Sequence, residues 1–239
     1  MKTTILTALT ATALLSGCII HVNTDGDWQT SSRYRSSEPH HQGSGVLGSQ
    51  TRSLPDFERI SVEGPLTVVV LVGEAPSVEL SGDANLLDFV ETSVSENKLR
   101  LGLEDGSYEF EEPMVVRIGV QSLTDVDVCG GSSLDLTGLN GEFDLELNAA
   151  ASVVARGELE ELDIEVNSAA DVDFSAVKAT EVDVEINGTG VVRVHAVDSI
   201  EAEINGTGTV IYTGDPSHHD FEINGIGKVR HEHEESSDI

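Results

Sequence analysis

Apolar and polar positions alternate through the last half of the chain in runs that resemble one another: TDVDVC, FDLELN, LDIEVN, VDVEIN, IEAEIN and DFEIN. Strict alternation is the mark of a strand with one buried face. Each run closes on one slot, filled by Cys129, Asn148, Asn167, Asn187, Asn205 and Asn224, at spacings of 19, 19, 20, 18 and 19 residues. Small residues follow the slot (GGS, AAA, SAA, GTG, GTG, GIG), and then a second alternating run: SLDL, SVVA, DVDF, VVRV, TVIY, KVRH. Most units add one further apolar position, such as Leu139, Leu159, Val177 or Val197. A unit this short cannot bury its own apolar side, so the period predicts stacked coils, a parallel β-solenoid. Parity sends Val126, Leu145, Ile164, Val184, Ala202 and Phe221 inward. Val128, Leu147, Val166, Ile186, Ile204 and Ile223 follow them, and Leu134, Val153, Val172, Val192, Val210 and Val229 form a third inward column. The small residues suit a tight corner, where glycine supplies positive φ and no side chain to clash with the next coil. Asparagine tolerates such corners and can bond its stacked equivalents.

Residues 123–231 therefore read as regular repeats, and 57–122 as the β-rich beginning of the same solenoid, with strands in FERISVEG, PLTVVVLVGE, SVELSG, NKLRLGLE and PMVVRIGV. DANLLDFVE interrupts them with a helical apolar pattern and an N-cap candidate in Asp83, which predicts one short helix. Residues 232–239 form a polar tail. At the other end, Lys2 and the apolar stretch Ile5–Leu15, too short to span a bilayer, read as a signal peptide over residues 1–17. LSGC at Leu15–Cys18 resembles the lipobox of bacterial lipoproteins, which implies acylation of Cys18 and a membrane anchor. Ile19 stands where an inner-membrane retention signal would have Asp, which points to the outer membrane. Residues 18–56, rich in Ser, Gly and His, read as the acylated cysteine and a disordered tether. With Cys18 acylated, Cys129 would be left without a cysteine to pair with.

The entry FERISVEGPLTVVVLVGE, the middle NLLDFVETSVSENKLRLGL and the repeated EINGTG blocks together resemble the head GIN domain family, bacterial surface proteins described as putative auto-transporter adhesins. The resemblance covers about residues 57–230. It implies an all-β, right-handed parallel β-helix, similar in shape to pectin lyases but without their catalytic residues, and a role in adhesion at the cell envelope. Cys129 and the Ala-rich corners of the second and third coils depart from the family's commoner form.

Charge changes the picture most. The chain carries 43 acidic against 13 basic residues, and residues 57–239 alone hold a net charge of −30. Such a surface repels nucleic acid and anionic lipid headgroups. Stacking would concentrate the acids on one outward face: Asp125, Asp144, Asp163, Asp183, Glu201 and Asp220 in one column, and Asp127, Glu146, Glu165, Glu185, Glu203 and Glu222 in another. Coils lie about 4.8 Å apart, where like charges repel by about 1 kcal/mol even in water. The summed cost, several kcal/mol, is comparable to a domain's whole stability, so something must offset it. Calcium or another divalent cation held by paired carboxylates is one solution, with a polysaccharide or cell-surface partner bound through the ion. The other is a solvated acidic face.

The remaining candidates are weaker. His218, His219, His231 and His233 cluster without regular ligand spacing. Asn187 and Asn205 each begin a glycosylation sequon, NGT. Arg193, Lys228 and Arg230 read as one outward basic column beside acids, reminiscent of a lyase base. No nucleophile–base constellation emerges, so the favoured function is binding without catalysis. A polysaccharide lyase or hydrolase on the same solenoid, and a purely structural envelope protein, are the alternatives.

Overall fold

Coils stack because each leaves an apolar edge that only the next coil can cover. The computed structural model describes residues 39–233, which form a β-solenoid of about six turns with about 19 residues in each. Its regular part comprises β10 (Asp125–Val128), β11 (Ser132–Leu147), β12 (Ala151–Val166), β13 (Ala169–Ile186), β14 (Thr189–Ile204), β15 (Thr207–Thr213), β16 (His218–Ile223) and β17 (Lys228–His231). All of them pair in parallel, with Asp125, Asp144, Asp163, Asp183, Glu201 and Asp220 in one register line. Strands β11 to β14 run round a bend, where register shifts mark irregular pairing. The expected inward columns are buried through Ala202, Ile204 and Val210. They open in the last coil, where Phe221 and Val229 are only half-buried and Ile223 is 46% exposed. Val197 departs from expectation: it is exposed, and the buried Ala196 takes the inward position by pairing with Ala179. Large and small side chains compensate along the axis. The rings of Phe143 and Phe174 stack 6.1 Å apart in the core, and Ala155 lies opposite Leu136.

The beginning of the chain does not simply add coils in sequence order. It comprises β1 (His40–Gln42), β2 (Leu47–Arg52), β3 (Arg59–Val62), β4 (Thr67–Val72), β5 (Ser77–Asp83), β6 (Val90–Ser95), β7 (Lys98–Leu103), β8 (Ser107–Glu109) and β9 (Val115–Val120). Strand β3 lies between β7 and β10, and β4 between β9 and β11. The coil of residues 59–72 is therefore second in space, and that of residues 98–120 is first. Antiparallel pairing then closes this end: β6 on β7, and β5 between β9 and β2. Antiparallel partners end the ladder without inviting a further parallel strand.

Two expectations need correction here. The tether is shorter than residues 18–56, because β1 pairs β8 and β2 pairs β5 within it; its first part, residues 18–38, lies outside the described residues. The short helix is a single 3-10 turn, Leu87–Phe89, and its N-cap residue is Leu86. The Asp83 carboxylate is committed elsewhere. Fully buried, it accepts the backbone N–H groups of Gly45, Glu111 and Glu112 and so ties the β1–β2 loop to the segment before β9. Those donors, Glu112 foremost, outweigh burial and hold its pKa below the ordinary value of 3.8.

Of the two reasons expected for glycine at the corners, positive φ does not hold and the close approach of the next coil does. Gly188, Gly206 and Gly225 do not adopt positive φ. They are required because the coil below approaches too closely for a side chain. A methyl carbon at Gly206 would lie 2.0 Å from the Gly188 carbonyl oxygen, and one at Gly225 would lie 2.0 Å from that of Gly206. Gly206→Ala is thus expected to destabilise the fold by about 2 kcal/mol or more, read from urea unfolding. Gly131→Ala serves as the control, since its nearest atom would be 3.9 Å away; it should change stability by less than about 1 kcal/mol.

Candidate functional site

Register places the expected carboxylates as two ladders on one outward face. Asp127, Glu146, Glu165, Glu185, Glu203 and Glu222 form the inner line beside the corner. The corner asparagines are in contact along the axis. Asn167 donates to Asn148, Asn187 to Asn167, Asn205 to Asn187 and Asn224 to Asn205, at 3.0–3.1 Å. Each amide nitrogen has two hydrogens, and the second goes to the glutamate two residues earlier. Asn148, Asn167, Asn187, Asn205 and Asn224 donate to Glu146, Glu165, Glu185, Glu203 and Glu222 at 2.8–3.0 Å. A neutral donor ladder thus lies against the anionic one. The same bonds occupy the side-chain nitrogens of both sequons, Asn187 and Asn205.

The top of the face has a different counterion. Lys98 reaches across β3 to Asp125 at 3.1 Å and hydrogen-bonds Asp127, which is buried. Burial opposes its ammonium, but the bonds to Asp127 and Asp125 prevail and raise its pKa above 10.5. Farther down the outer line no Lys or Arg pairs with these carboxylates among the described residues. Asp163 has its pKa pushed up to about 6, first by burial and then by Asp144, Glu161 and Asp183. Asp183 is raised in the same direction by burial and then by Glu201 and Glu185. Asp125 is raised too, by burial and Asp127, against the pull of Lys98. Asp163 and Asp183 in the outer ladder therefore hold their protons to higher pH than isolated carboxyl groups would.

Two features thus answer part of the sequence's charge problem: amide donors along the inner ladder and Lys98 at the top. A divalent ion needs several oxygens converging on one point. Among the described residues, no group of three or more Asp, Glu, His or Cys side chains could hold a metal ion. The carboxylates predicted as calcium ligands are spread along the axis, and the inner ones are bound to asparagine. The four histidines likewise form no metal site: His231 stacks on Tyr212 at 4.7 Å, and His219 lies against Phe221 at 5.6 Å. The basic column separates into two. Lys228 lines up with Thr209, whereas Arg193, Ile211 and Arg230 form the neighbouring line. Arg193 is paired with Asp171 at 2.7 Å, and Arg230 with Glu232 at 2.9 Å. Cys129 occupies the first corner slot and is disulfide-bonded, which overturns the expectation of an unpaired thiol. Cys18 lies outside the described residues, as does the signal peptide. Among the described residues, no helix is long and apolar enough to cross a membrane.

Sequence reasoning missed a trough beside the asparagine ridge. The small corner residues leave an open channel of about 1060 Å³ that runs from Pro65 to Lys228. Its floor is the line Ser132, Ala151, Ala170, Gly190 and Gly208. Ser133, Ser152, Asp171, Val191, Thr209 and Lys228 follow along one side, and Thr189 and Thr207 stand on the other. The signal was present in the sequence as GGS, AAA, SAA and GTG. What hid it was that these residues also explain a tight turn.

The family described as "putative auto-transporter adhesin, head GIN domain" matches residues 56–216. The chain belongs to this family. This GIN domain is similar in structure to a putative adhesin from Bacteroides fragilis NCTC 9343, with a TM-score of 0.61 and 16% identity over 80% of this chain and 99% of that one. It is also similar to a putative adhesin from Parabacteroides merdae ATCC 43184, with a TM-score of 0.50 and 20% identity over 81% of this chain and 99% of that one. At these identities the likeness concerns the fold. No curated protein matches.

The carboxyl shifts give the GIN domain an acid-side stability gain. Asp163 is raised from 3.8 to about 6, so the folded state binds more protons than the unfolded one between those values. The resulting stabilisation is full below the lower value and is lost as pH rises through the upper one. Asp163→Asn is expected to raise the melting temperature at about pH 8 and leave it nearly unchanged at about pH 4. An equal shift at both would contradict a charge-strained column.

Proposed function

We propose that this GIN domain is a non-catalytic binding module of the cell envelope that holds an extended polysaccharide along the corner trough. One observation carries the reading: the trough crosses the coils without interruption, with Ser133 and Ser152 one coil apart on one side and Thr189 and Thr207 one coil apart on the other. Hydroxyl groups on both walls of an extended trough suit a polymer with hydroxyl and ring oxygens along its length, and solenoid faces are extended binding surfaces. The acidic face beside the trough disfavours polyanionic strands and favours neutral or cationic ones. Catalysis would require a perturbed acid and base facing the bound substrate. The raised carboxyl groups Asp163 and Asp183 stand on the acidic face instead, across the asparagine ridge. The family's adhesin description agrees with binding.

A glycan array probed with the purified protein, with and without chelator, tests this reading, followed by product analysis on every hit. Binding without cleavage, independent of chelator and lost in Thr189→Trp, which fills the trough, is the expected result. Cleavage would shift the reading to a lyase or hydrolase. Binding that survives Thr189→Trp would move the site off the trough, and no binding at all would favour a structural role.

An anchor at the outer membrane through acylated Cys18 belongs to the same proposal for a chain in which the Cys129 disulfide has not formed. The chain has two cysteines, so an acylated Cys18 and a disulfide at Cys129 exclude each other within one molecule. Mass spectrometry of the protein extracted from membranes without reductant is expected to show the chain starting at Cys18 and carrying acyl groups. An unacylated chain with an internal disulfide would reject the anchor.

A further inference from the structure

The two ends of the solenoid are built differently. At the N-terminal end, antiparallel β6 and β2 terminate the sheets. At the other end the edges are parallel strands: among the described residues, β16 pairs only with β14, and β17 only with β15. Their inward positions continue the core columns, and no coil lies above them among the described residues. Ile223 is 46% exposed and Ile226, at the last corner, 82%, whereas the Ile204 position below is fully buried. An unpaired, partly apolar edge is a template for another strand. Opposite charges mark the two edges. Strand β16 directs Asp220 and Glu222 outward, and β17 directs Lys228 and Arg230 outward.

We infer that this end docks onto the same end of a second copy of the chain, forming a closed two-fold dimer. An axis that bisects the corner at residues 224–227 lays β16 of one copy antiparallel on β17 of the other. Asp220 and Glu222 then face Lys228 and Arg230 of the second copy, and Phe221, Ile223 and Val229 gain the apolar layer they lack. The alternative two-fold arrangement, β16 on β16, would set acid against acid and is disfavoured. Arg230 already pairs with Glu232 at 2.9 Å, but that pair is exposed and weak enough to be shared. Because the contact is isologous, it closes at two copies. The opposite end does not match it: β6 offers Glu91 on its outward side with no basic residue in the strand, and Arg52 of β2 is committed to the carbonyl oxygens of Leu87 and Val90.

Light scattering on the full chain in detergent, across a concentration series, tests the inference. A monomer–dimer equilibrium is expected, weakened by salt. The double variant Lys228→Glu/Arg230→Glu should raise the dissociation constant about tenfold or more, as should Asp220→Lys/Glu222→Lys. The variant carrying all four substitutions should recover the dimer. Melting curves establish that each variant is folded. A chain that stays monomeric, a dimer indifferent to both reversals, failure of the combined variant to recover, or growth into open-ended assemblies would each overturn it.

Discussion

Parallel coils in register bring every residue within about 4.8 Å of its own equivalent in the next coil. Like therefore meets like along the whole axis, and each column must be a residue type that tolerates its own company. Aliphatic side chains do, and they form the core. Asparagine does, because its amide both donates and accepts, and the line from Asn148 to Asn224 runs unbroken. Glycine and alanine do at the corner, where backbone passes so close to backbone that a methyl at Gly206 would collide with Gly188. Carboxylates do not.

The acidic face is accordingly where this architecture is under strain. The inner ladder is quieted by its asparagine neighbours, whose second amide hydrogen would otherwise point at solvent. The top is neutralised by Lys98, brought across from the coil that is first in space. Below Asp125 the outer ladder has neither, and the pKa of Asp163 is raised to about 6. This distribution leaves little for a divalent ion to add. It also makes two carboxyl groups work in opposite directions, since Asp83 is stabilised as an anion by backbone donors and Asp163 is not.

A stack must also end. One end is closed by reversing strand direction, which required the chain to begin at the second coil and return to build the first. The other end keeps the parallel edge and the core columns exposed. The trough, in contrast, needs no special construction. It is the space left when corner side chains stay small through successive coils, so the packing requirement that defines the turn also creates the surface proposed for binding.

Much of this was legible in the residues. The six-fold slot from Cys129 to Asn224, the inward columns and the two carboxylate ladders follow from a period near 19 and the two-residue alternation of strands. Local pattern determines them, because each residue's environment is set by its equivalents one period away. Tertiary structure alone decided what depends on residues with no periodic relation. Lys98 meets Asp125 and Asp127 only because β3 inserts between β7 and β10. Asp83 looks like a helix cap until Gly45, Glu111 and Glu112 converge on it. Strand β2 lies in a stretch of tether-like composition, and its order comes from pairing with β5. The corner's small residues announce a turn in sequence, but whether they leave a trough depends on how the neighbouring walls stand. That relation is one of shape, which no single chain segment carries.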